Sequence, residues 1–222
     1  MKLTKKKVFV AAIAICLIAI VSVGTLAWFS DSKSVTNNFL VAGSEDEADK
    51  IFSVKVWEKT PESDEDTDGY DYTNILPGSV YKKEAHVENT GLYDQYIRVT
   101  VTISDAQAWV DALGANFDVA DVFVGFDATK WTHIWNNMNG ATTVPSDLVY
   151  VMYYKDVLES GKDITVFTDV KIPESLDQED VAKFGGSFSI DVKADAVQTE
   201  NVVPDGTAAE DAAWAAFKTV EE

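Results

Sequence analysis

The chain has 222 residues, 46 % of them apolar, which is enough for one folded domain with a substantial core or for two small ones. It has 37 acidic residues against 18 basic ones, for a net charge of −19. A surface of that sign repels phosphate backbones and anionic headgroups, so nucleic acid is excluded as a main partner. Cations, basic polymers and other copies of the chain remain.

Residues 1–27 have the layout of a secretory signal peptide. The basic segment MKLTKKK precedes an uncharged apolar run over 8–23, and GTLA follows, with Thr25 and Ala27 at the positions that a signal peptidase reads. An uncleaved anchor is the alternative, because the apolar run is 22 residues long when it is counted through Phe29. The small side chain of Ala27 favours cleavage between Ala27 and Trp28, so that membrane contact is made only through the leader of the precursor.

Cleavage at this bond changes the charge of the chain. It removes four of the 18 basic residues and no acidic one, which leaves 14 basic residues against 37 acidic ones and a net charge of −23. It also removes Cys16, the only cysteine of the sequence. The mature chain therefore has no disulfide framework, no thiolate metal site and no cysteine nucleophile.

The residues after the cleavage site predict an extended arm over 28–43, followed by many strands. In three segments apolar and polar residues alternate, as in strands with one buried face. These segments are 51–59, 80–89 and 95–104. Further strand-like runs cover 119–126, 130–135, 148–155, 163–172 and 187–198. Many short strands with few helices predict an all-β sandwich, and a jelly roll is one way in which such a fold protects its sheet edges.

Three short helices are predicted at the periphery of the sandwich, over 104–113, 175–184 and 207–220. Ser104 is the expected N-cap of the first helix and Gly114 its stop. Thr207 and Glu210 are expected to form a capping box at the start of the third. The predicted organisation is a signal peptide over 1–27, an arm over 28–43 and one β-sandwich domain over 44–222.

No motif of a hydrolase or phosphate-binding enzyme is present. The two histidines, His86 and His133, lie outside any HExxH sequence, whereas a zinc hydrolase needs about three protein ligands and an open position. We expect His86 on a polar strand face beside Glu84, and His133 in an aromatic patch with Trp131 and Trp135. No catalytic residue is therefore predicted.

One acidic stretch, DEDTDGYDY over 64–72, resembles the beginning of a calcium-binding loop. Asp64, Asp66 and Asp68 alternate before Gly69, which places three carboxylates toward one centre and permits a sharp turn. The twelfth position is Ile75 rather than a bidentate glutamate, so the loop is incomplete as an EF-hand. The alternative is a solvated acidic loop. No cofactor is required by the sequence, and calcium is the one candidate.

The six tryptophans are Trp28, Trp57, Trp109, Trp131, Trp135 and Trp214. Large aromatic side chains most often fill cores, and we assign most of these residues to the core. Stacking of sugar rings on exposed indoles is the alternative.

Several segments occur in an order that is typical of one family. They are GTLAWFSDSKSVTNNFLVAG over 24–43, ILPGSVYKKEAHVENTGLYDQYIRVTVT over 75–102, YYKDVLESGKDITVFTDVKIP over 153–173, IDVKADAVQTENV over 190–202 and DAAWAAF over 211–217. In this order they resemble the TasA/camelysin family of proteins secreted by Gram-positive bacteria. The resemblance covers residues 24–217.

The resemblance implies a jelly-roll sandwich that is cut by a SipW-type signal peptidase, secreted, and assembled as a homopolymer into fibres of the biofilm matrix. In that family the N-terminal segment of one subunit adds as a donor strand to the sheet of the next. Residues 28–43 are then the candidate donor strand, with Val35, Thr36, Phe39 and Val41 as its β-capable residues. An accessory matrix or anchor protein is a further candidate partner.

Two alternatives to a fibre subunit stay open at this point. The family name camelysin is associated with a metallopeptidase, although the missing HExxH motif argues against that activity here. A monomeric calcium-binding adhesin at the cell surface is the other alternative. A protease assay with and without chelator separates the first alternative from the fibre subunit, and light scattering of the mature chain separates the second.

Overall fold

The computed structural model describes residues 30–32, 52–59, 72, 75–114, 121–174 and 188–221. Within these residues nine strands form two antiparallel sheets. Sheet one contains, in spatial order, β1 (Ser30–Ser32), β9 (Ile190–Gln198), β4 (Gln95–Ile103), β7 (Leu148–Tyr154) and β6 (Trp131–Asn136). Sheet two contains β2 (Val54–Lys59), β3 (Val80–Asn89), β8 (Asp163–Lys171) and β5 (Phe123–Val124). The prediction of an all-β sandwich is confirmed.

One cluster of buried apolar side chains fills the space between the two sheets. In β4 every second residue points into it, and the residues between are half-buried on the outer face. The apolar residues that β4 contributes are Ile97, Val99, Val101 and Ile103. Val54 and Val87 of sheet two belong to the same cluster. Complete burial of each such side chain stabilises the fold by roughly 1.5–3 kcal/mol, so the shared core is what holds the sheets together.

Successive strands from β3 onward alternate between the two sheets. β3, β5 and β8 belong to sheet two, whereas β4, the pair β6 and β7, and β9 belong to sheet one. The last strand, β9, returns to lie between β1 and β4. This layer-to-layer path is jelly-roll-like, and it leaves β1 and β6 as the edges of sheet one and β2 and β5 as the edges of sheet two.

Most strands have the predicted bounds within one to three residues, and β5 is the exception. A strand was predicted over 119–126, but among its described residues only Phe123–Val124 forms one. Gly125 follows at φ 77°, in the left-handed region, and a Cβ at this position would lie 2.6 Å from the hydroxyl of Thr168. The left-handed backbone of Gly125, packed closely against Thr168 of β8, ends β5 after two residues.

The first helix, α1 (Ala106–Leu113), begins two residues later than predicted. Its N-cap is Asp105, at φ 60°, and not Ser104. The hydroxyl of Ser104 instead accepts a hydrogen bond from the backbone N–H of Ser189 at 2.8 Å, which ties the end of β4 to the start of β9. The predicted stop at Gly114 is confirmed, since its N–H donates to a carbonyl in the last turn at 2.8 Å.

The C-terminal helix, α2 (Ala212–Glu221), begins five residues later than the predicted start at 207. A 3₁₀ turn over Ala209–Asp211 precedes it. The hydroxyl of Thr207 donates to the carbonyl of the residue three positions earlier, at 2.7 Å, and so closes the preceding turn. The predicted capping box with Glu210 is therefore wrong. The predicted helix over 175–184 lies outside the described residues, as do the leader and most of the arm.

Candidate functional site at the edge of sheet one

The described part of the N-terminal arm forms an edge strand of three residues. β1 runs antiparallel to β9, with Ser30 opposite Val197 and Ser32 opposite Asp195. No other described strand pairs with this side of β9, so residues 190–194 have no described partner there. The N–H and C=O groups along such an edge are a template for the addition of a strand.

β9 is held in the sheet along its whole length on the other side. Each of its residues pairs with β4, from Gln198 opposite Gln95 to Ile190 opposite Ile103. Ala194 and Ala196 are buried in the core between the sheets. The strand that receives β1 is thus a fixed part of the sandwich, whereas β1 adds only three residue pairs to it.

A buried ion pair fixes β9 next to β1. The buried carboxylate of Asp195 accepts hydrogen bonds from Nη2 of Arg98 at 3.0 Å and from Nε at 3.2 Å. Its other oxygen lies 3.2 Å from Nζ of Lys193. Burial by itself lowers the pKa of Arg98, but the hydrogen bonds and charges of Glu221 and Asp195 outweigh burial and raise the pKa. The guanidinium therefore stays charged.

Helix α2 covers the outer face of sheet one at the same place. Phe217 and Val197 belong to one buried cluster between the helix and the sheet. The guanidinium of Arg98 lies 4.6 Å from the ring centroid of Phe217, and it also donates to the carboxylate of Glu221. β4, β9 and α2 are therefore one interlocked unit. Sequence reasoning missed this unit, although Arg98 is the only arginine of the chain.

Three groups of predicted site residues lie outside the described residues. They are the cleavage-site residues Ala27 and Trp28, the donor-strand residues Val35, Thr36, Phe39 and Val41, and the candidate calcium ligands Asp64, Asp66 and Asp68. These three sites stay predictions. Across the part of the chain that the structure describes, no group of three or more His, Cys, Asp or Glu residues is placed to hold a metal ion.

His86 lies on the outer face of sheet two, in the polar surroundings that the sequence predicts. Its Nδ1 is 2.9 Å from Oδ2 of Asp163, and its Nε2 is 2.9 Å from Oε1 of Glu84. Trp57 stacks on the ring, which leaves the histidine only 4 % exposed. His86 thus links β2, β3 and β8, a structural arrangement that the sequence pattern did not indicate.

His133 lies in a bulge of β6, at φ 47°, and its aromatic neighbours differ from the predicted ones. Its ring stacks on Trp214 of α2 with centroids 4.3 Å apart, and Nε2 lies 2.9 Å from Oδ1 of Asp211. Trp131 is buried in the core and Trp135 is exposed, so the predicted patch of these two residues with His133 is wrong. The two histidines belong to different sheets and contact different carboxylates.

The tryptophans are divided between the core and the surface. Trp109 and Trp131 are buried in the core, as predicted. Trp57 and Trp214 are half-buried and stack on the two histidines, and Trp135 is 48 % exposed. The assignment of most tryptophans to the core therefore holds for only two of the five that the structure describes.

Comparison with known proteins returns no match, whether with protein-family models, curated proteins or solved structures. Within the described ranges, no helix has both the length and the apolar character needed to span a bilayer. The edge of sheet one, where the arm meets β9, is the feature of the molecule on which a functional proposal rests.

Proposed function

We propose that this chain is a secreted structural subunit that polymerises head to tail into extracellular biofilm-matrix fibres. The N-terminal arm of one copy serves as the donor strand, and β9 of the next copy accepts it. The observation that supports this most directly is the pairing of Ser30–Ser32 with the edge of β9. Among the described residues, the core cluster that joins the two sheets extends from Val54 to Ala196.

The pairing of β1 with β9 can be made by the arm of any copy. Its sequence is Ser-Asp-Ser, and main-chain hydrogen bonds provide the affinity when a strand is added to a sheet edge. The arm of a second copy presents the same atoms in the same register. When it takes the place of the chain's own arm on β9, each main-chain hydrogen bond is therefore replaced by an equivalent one. An arm that binds a different copy gives a heterologous contact, which propagates as a filament when it does not close on itself.

The register of β1 indicates where the rest of the donor strand would pair. If the pairing continues by one residue per step, Val35 faces Val192 and Thr36 faces Asp191. Val192 packs at the margin of the core, so an apolar partner there would shield it from water. Asp191 is exposed on the outer face, which suits a polar partner. Val35 and Thr36 are two of the residues predicted for the donor strand.

The charge of the mature chain opposes its assembly. Subunits with a net charge of −23 repel one another, and this repulsion is screened by salt and reduced when carboxylates are protonated. We therefore expect polymerisation to be faster at higher salt and at acidic pH. The measurement is the rate of increase in light scattering of the mature chain at several ionic strengths.

The experiment that tests the proposal compares the mature chain, starting at Trp28, with a chain starting at Gly43. Sedimentation and electron microscopy in one buffer should show filaments for the mature chain and folded monomers for the shortened one. Filaments of equal yield from the shortened chain would show that the arm is not the connector. A mature chain that stays monomeric under all conditions would favour a surface adhesin instead.

A further inference from the structure

The two ends of the sandwich expose apolar side chains. We call the end with the turn between β3 and β4 the near end, and the end where β3 begins the far end. Among the described residues, four large apolar side chains are more than half exposed, and all four lie at these ends. They are Leu92 (62 %) and Tyr93 (59 %) at the near end and Leu76 (62 %) and Val80 (54 %) at the far end.

The near-end turn is held rigid by a buried polar network. The side-chain amide of Asn89 donates to the carbonyls of Tyr93 at 2.9 Å and Leu158 at 2.8 Å. The Oδ1 of Asn89 accepts from the N–H of Gly91 at 2.9 Å and from Nε2 of Gln95 at 2.8 Å. Asn89 and Gln95 are completely buried. Both N–H groups and Oδ1 of the Asn89 amide are thus hydrogen-bonded, which fixes the backbone of the turn and presents Leu92 and Tyr93 in fixed positions.

A second loop braces the same turn. The N–H of Ser160 donates to Oδ1 of Asp94 at 3.1 Å, and its hydroxyl donates to the carbonyl of Gly91 at 2.6 Å. The ring of Tyr93 stacks on Phe52, the first described residue before β2, with centroids 5.8 Å apart. The exposed apolar pair is therefore supported by three segments of the chain, and its position adjoins the point where the arm enters the domain.

The direction of the arm relates the near end of one copy to the far end of the next. β1 begins opposite Val197, near the near end, and runs toward the far end, where Ile190 pairs with Ile103. When β1 pairs with β9 of another copy, the donor chain after Ser32 therefore continues toward the far end of the acceptor copy. The donor chain joins its own domain at that domain's near end, through Phe52. Residues 33–51 can span up to about 60 Å at about 3.3 Å per residue. The most direct path places the near end of the donor against the far end of the acceptor.

We propose that Leu92 and Tyr93 of one copy pack against Leu76 and Val80 of the next copy, so that a body-to-body apolar contact reinforces the donor strand. This inference rests on the proposed fibre function and specifies its second interface. The partner is another copy of this chain, because the two patches lie at opposite ends of one molecule and the arm connects those ends. Two copies with a net charge of −23 approach most easily through apolar surfaces. Different patches in contact give an interface that propagates.

Three pairs of substitutions in the mature chain test this contact. The near-end variant is Leu92→Asp with Tyr93→Asp, and the far-end variant is Leu76→Asp with Val80→Asp. The control is Ile134→Asp with Trp135→Asp, an exposed apolar–aromatic pair on the edge strand β6 that adds the same charge. Thermal melting verifies that each variant is folded. Leu92→Asp alone replaces the near-end variant if the double substitution prevents folding.

We expect the near-end and far-end variants to need at least about tenfold more protein for fibres to form, as measured by sedimentation and electron microscopy, because each loses the burial of two apolar side chains. The control should form fibres as the wild type does. At a protein concentration at which neither variant forms fibres alone, a 1:1 mixture of the near-end and far-end variants should give discrete dimers, because one intact near end can still meet one intact far end. Mixed filaments or unchanged monomers would overturn the complementary pairing of the two ends.

The possible failures are distinguishable. If the wild-type mature chain forms fibres and the near-end and far-end variants form them equally well, the body-to-body contact is overturned and the donor strand is unaffected. If the wild-type mature chain forms no fibres, the proposed function itself fails, and the end-to-end contact fails with it.

Discussion

The indole of Trp57 lies flat on the imidazole of His86, with ring centroids 3.9 Å apart and an interplanar angle of 2°. The two residues are cross-strand partners in β2 and β3. The nitrogens of His86 also contact the carboxylates of Glu84 and Asp163, each at 2.9 Å. Sheet two is therefore joined across three strands by one histidine, which has a structural role.

Two substitutions of His86 separate the contribution of the stack from that of the hydrogen bonds. His86→Phe keeps a flat ring under Trp57 but removes both ring nitrogens and their hydrogen bonds, and we expect it to lower the free energy of unfolding by about 1–2 kcal/mol. His86→Ala removes the ring as well and should cost about 1 kcal/mol more than His86→Phe. Urea denaturation measures both values. Equal midpoints for the two variants would show that the stack contributes nothing.

Arg98 should matter more to stability than any exposed ion pair. Arg98→Met removes both hydrogen bonds that the guanidinium donates to the buried carboxylate of Asp195, and we expect a loss of about 3 kcal/mol in the free energy of unfolding. Amide exchange in β9 and α2 should accelerate, since Arg98 joins the two. Lys193→Met is the control and should cost at most about 1 kcal/mol, because Lys193 is more exposed. Equal effects of the two substitutions would contradict this role of Arg98.

Processing of the leader is expected between Ala27 and Trp28. Ala27→Phe should block cleavage, because a signal peptidase accepts only small side chains at this position, and Ala27→Ser should be cut normally. Mass spectrometry of the N-terminus of the secreted protein checks both. An intact Met1 on the wild-type protein, with none released from the cell, would indicate a permanent membrane anchor.

Any effect of calcium is expected to depend on Asp64, Asp66 and Asp68. Replacement of all three by Asn removes the negative charges that a calcium loop requires, and it should abolish a calcium-dependent rise in melting temperature. The comparison uses wild-type and triple-variant protein, each with calcium and with chelator. If the wild type shows no rise at about millimolar calcium, the segment is a solvated acidic turn.

The strands were predictable where burial follows a simple alternation. From Ile97 to Ile103, β4 alternates between apolar and polar residues; the apolar residues are buried and the polar ones lie on the outer face. β3 has the predicted bounds but contains irregular pairing between Lys82 and Ala85, which no sequence pattern indicates. The start of α2 was predicted too early because Thr207 bonds backward along the chain. Local patterns thus identified the elements, while competing hydrogen bonds decided their ends.

The polar contacts inside the fold were predictable only in part. Lys83 and Glu58 form a pair with Nζ and Oε1 2.5 Å apart, and both side chains are only 9 % exposed. Glu58 and Lys83 both occupy positions at which the alternation of their strands predicts a buried apolar residue. Two opposite charges at such positions indicate a buried ion pair, so the sequence pattern could have identified this one. Arg98 and Asp195 gave no comparable signal, because 97 residues separate them and only the return of β9 beside β4 brings them together.

Cysteine crosslinking distinguishes an arm that pairs with β9 of another copy from an arm that pairs with β9 of its own chain. The mature chain has no cysteine of its own, so Ser30→Cys and Val197→Cys together place one thiol on each strand at directly opposed positions. Fibres of this variant should give a ladder of disulfide-linked oligomers on a non-reducing gel, and Ser30→Cys with Lys193→Cys, which is out of register, should not. Fibres whose disulfides all lie within single chains would contradict the pairing of the arm with another copy.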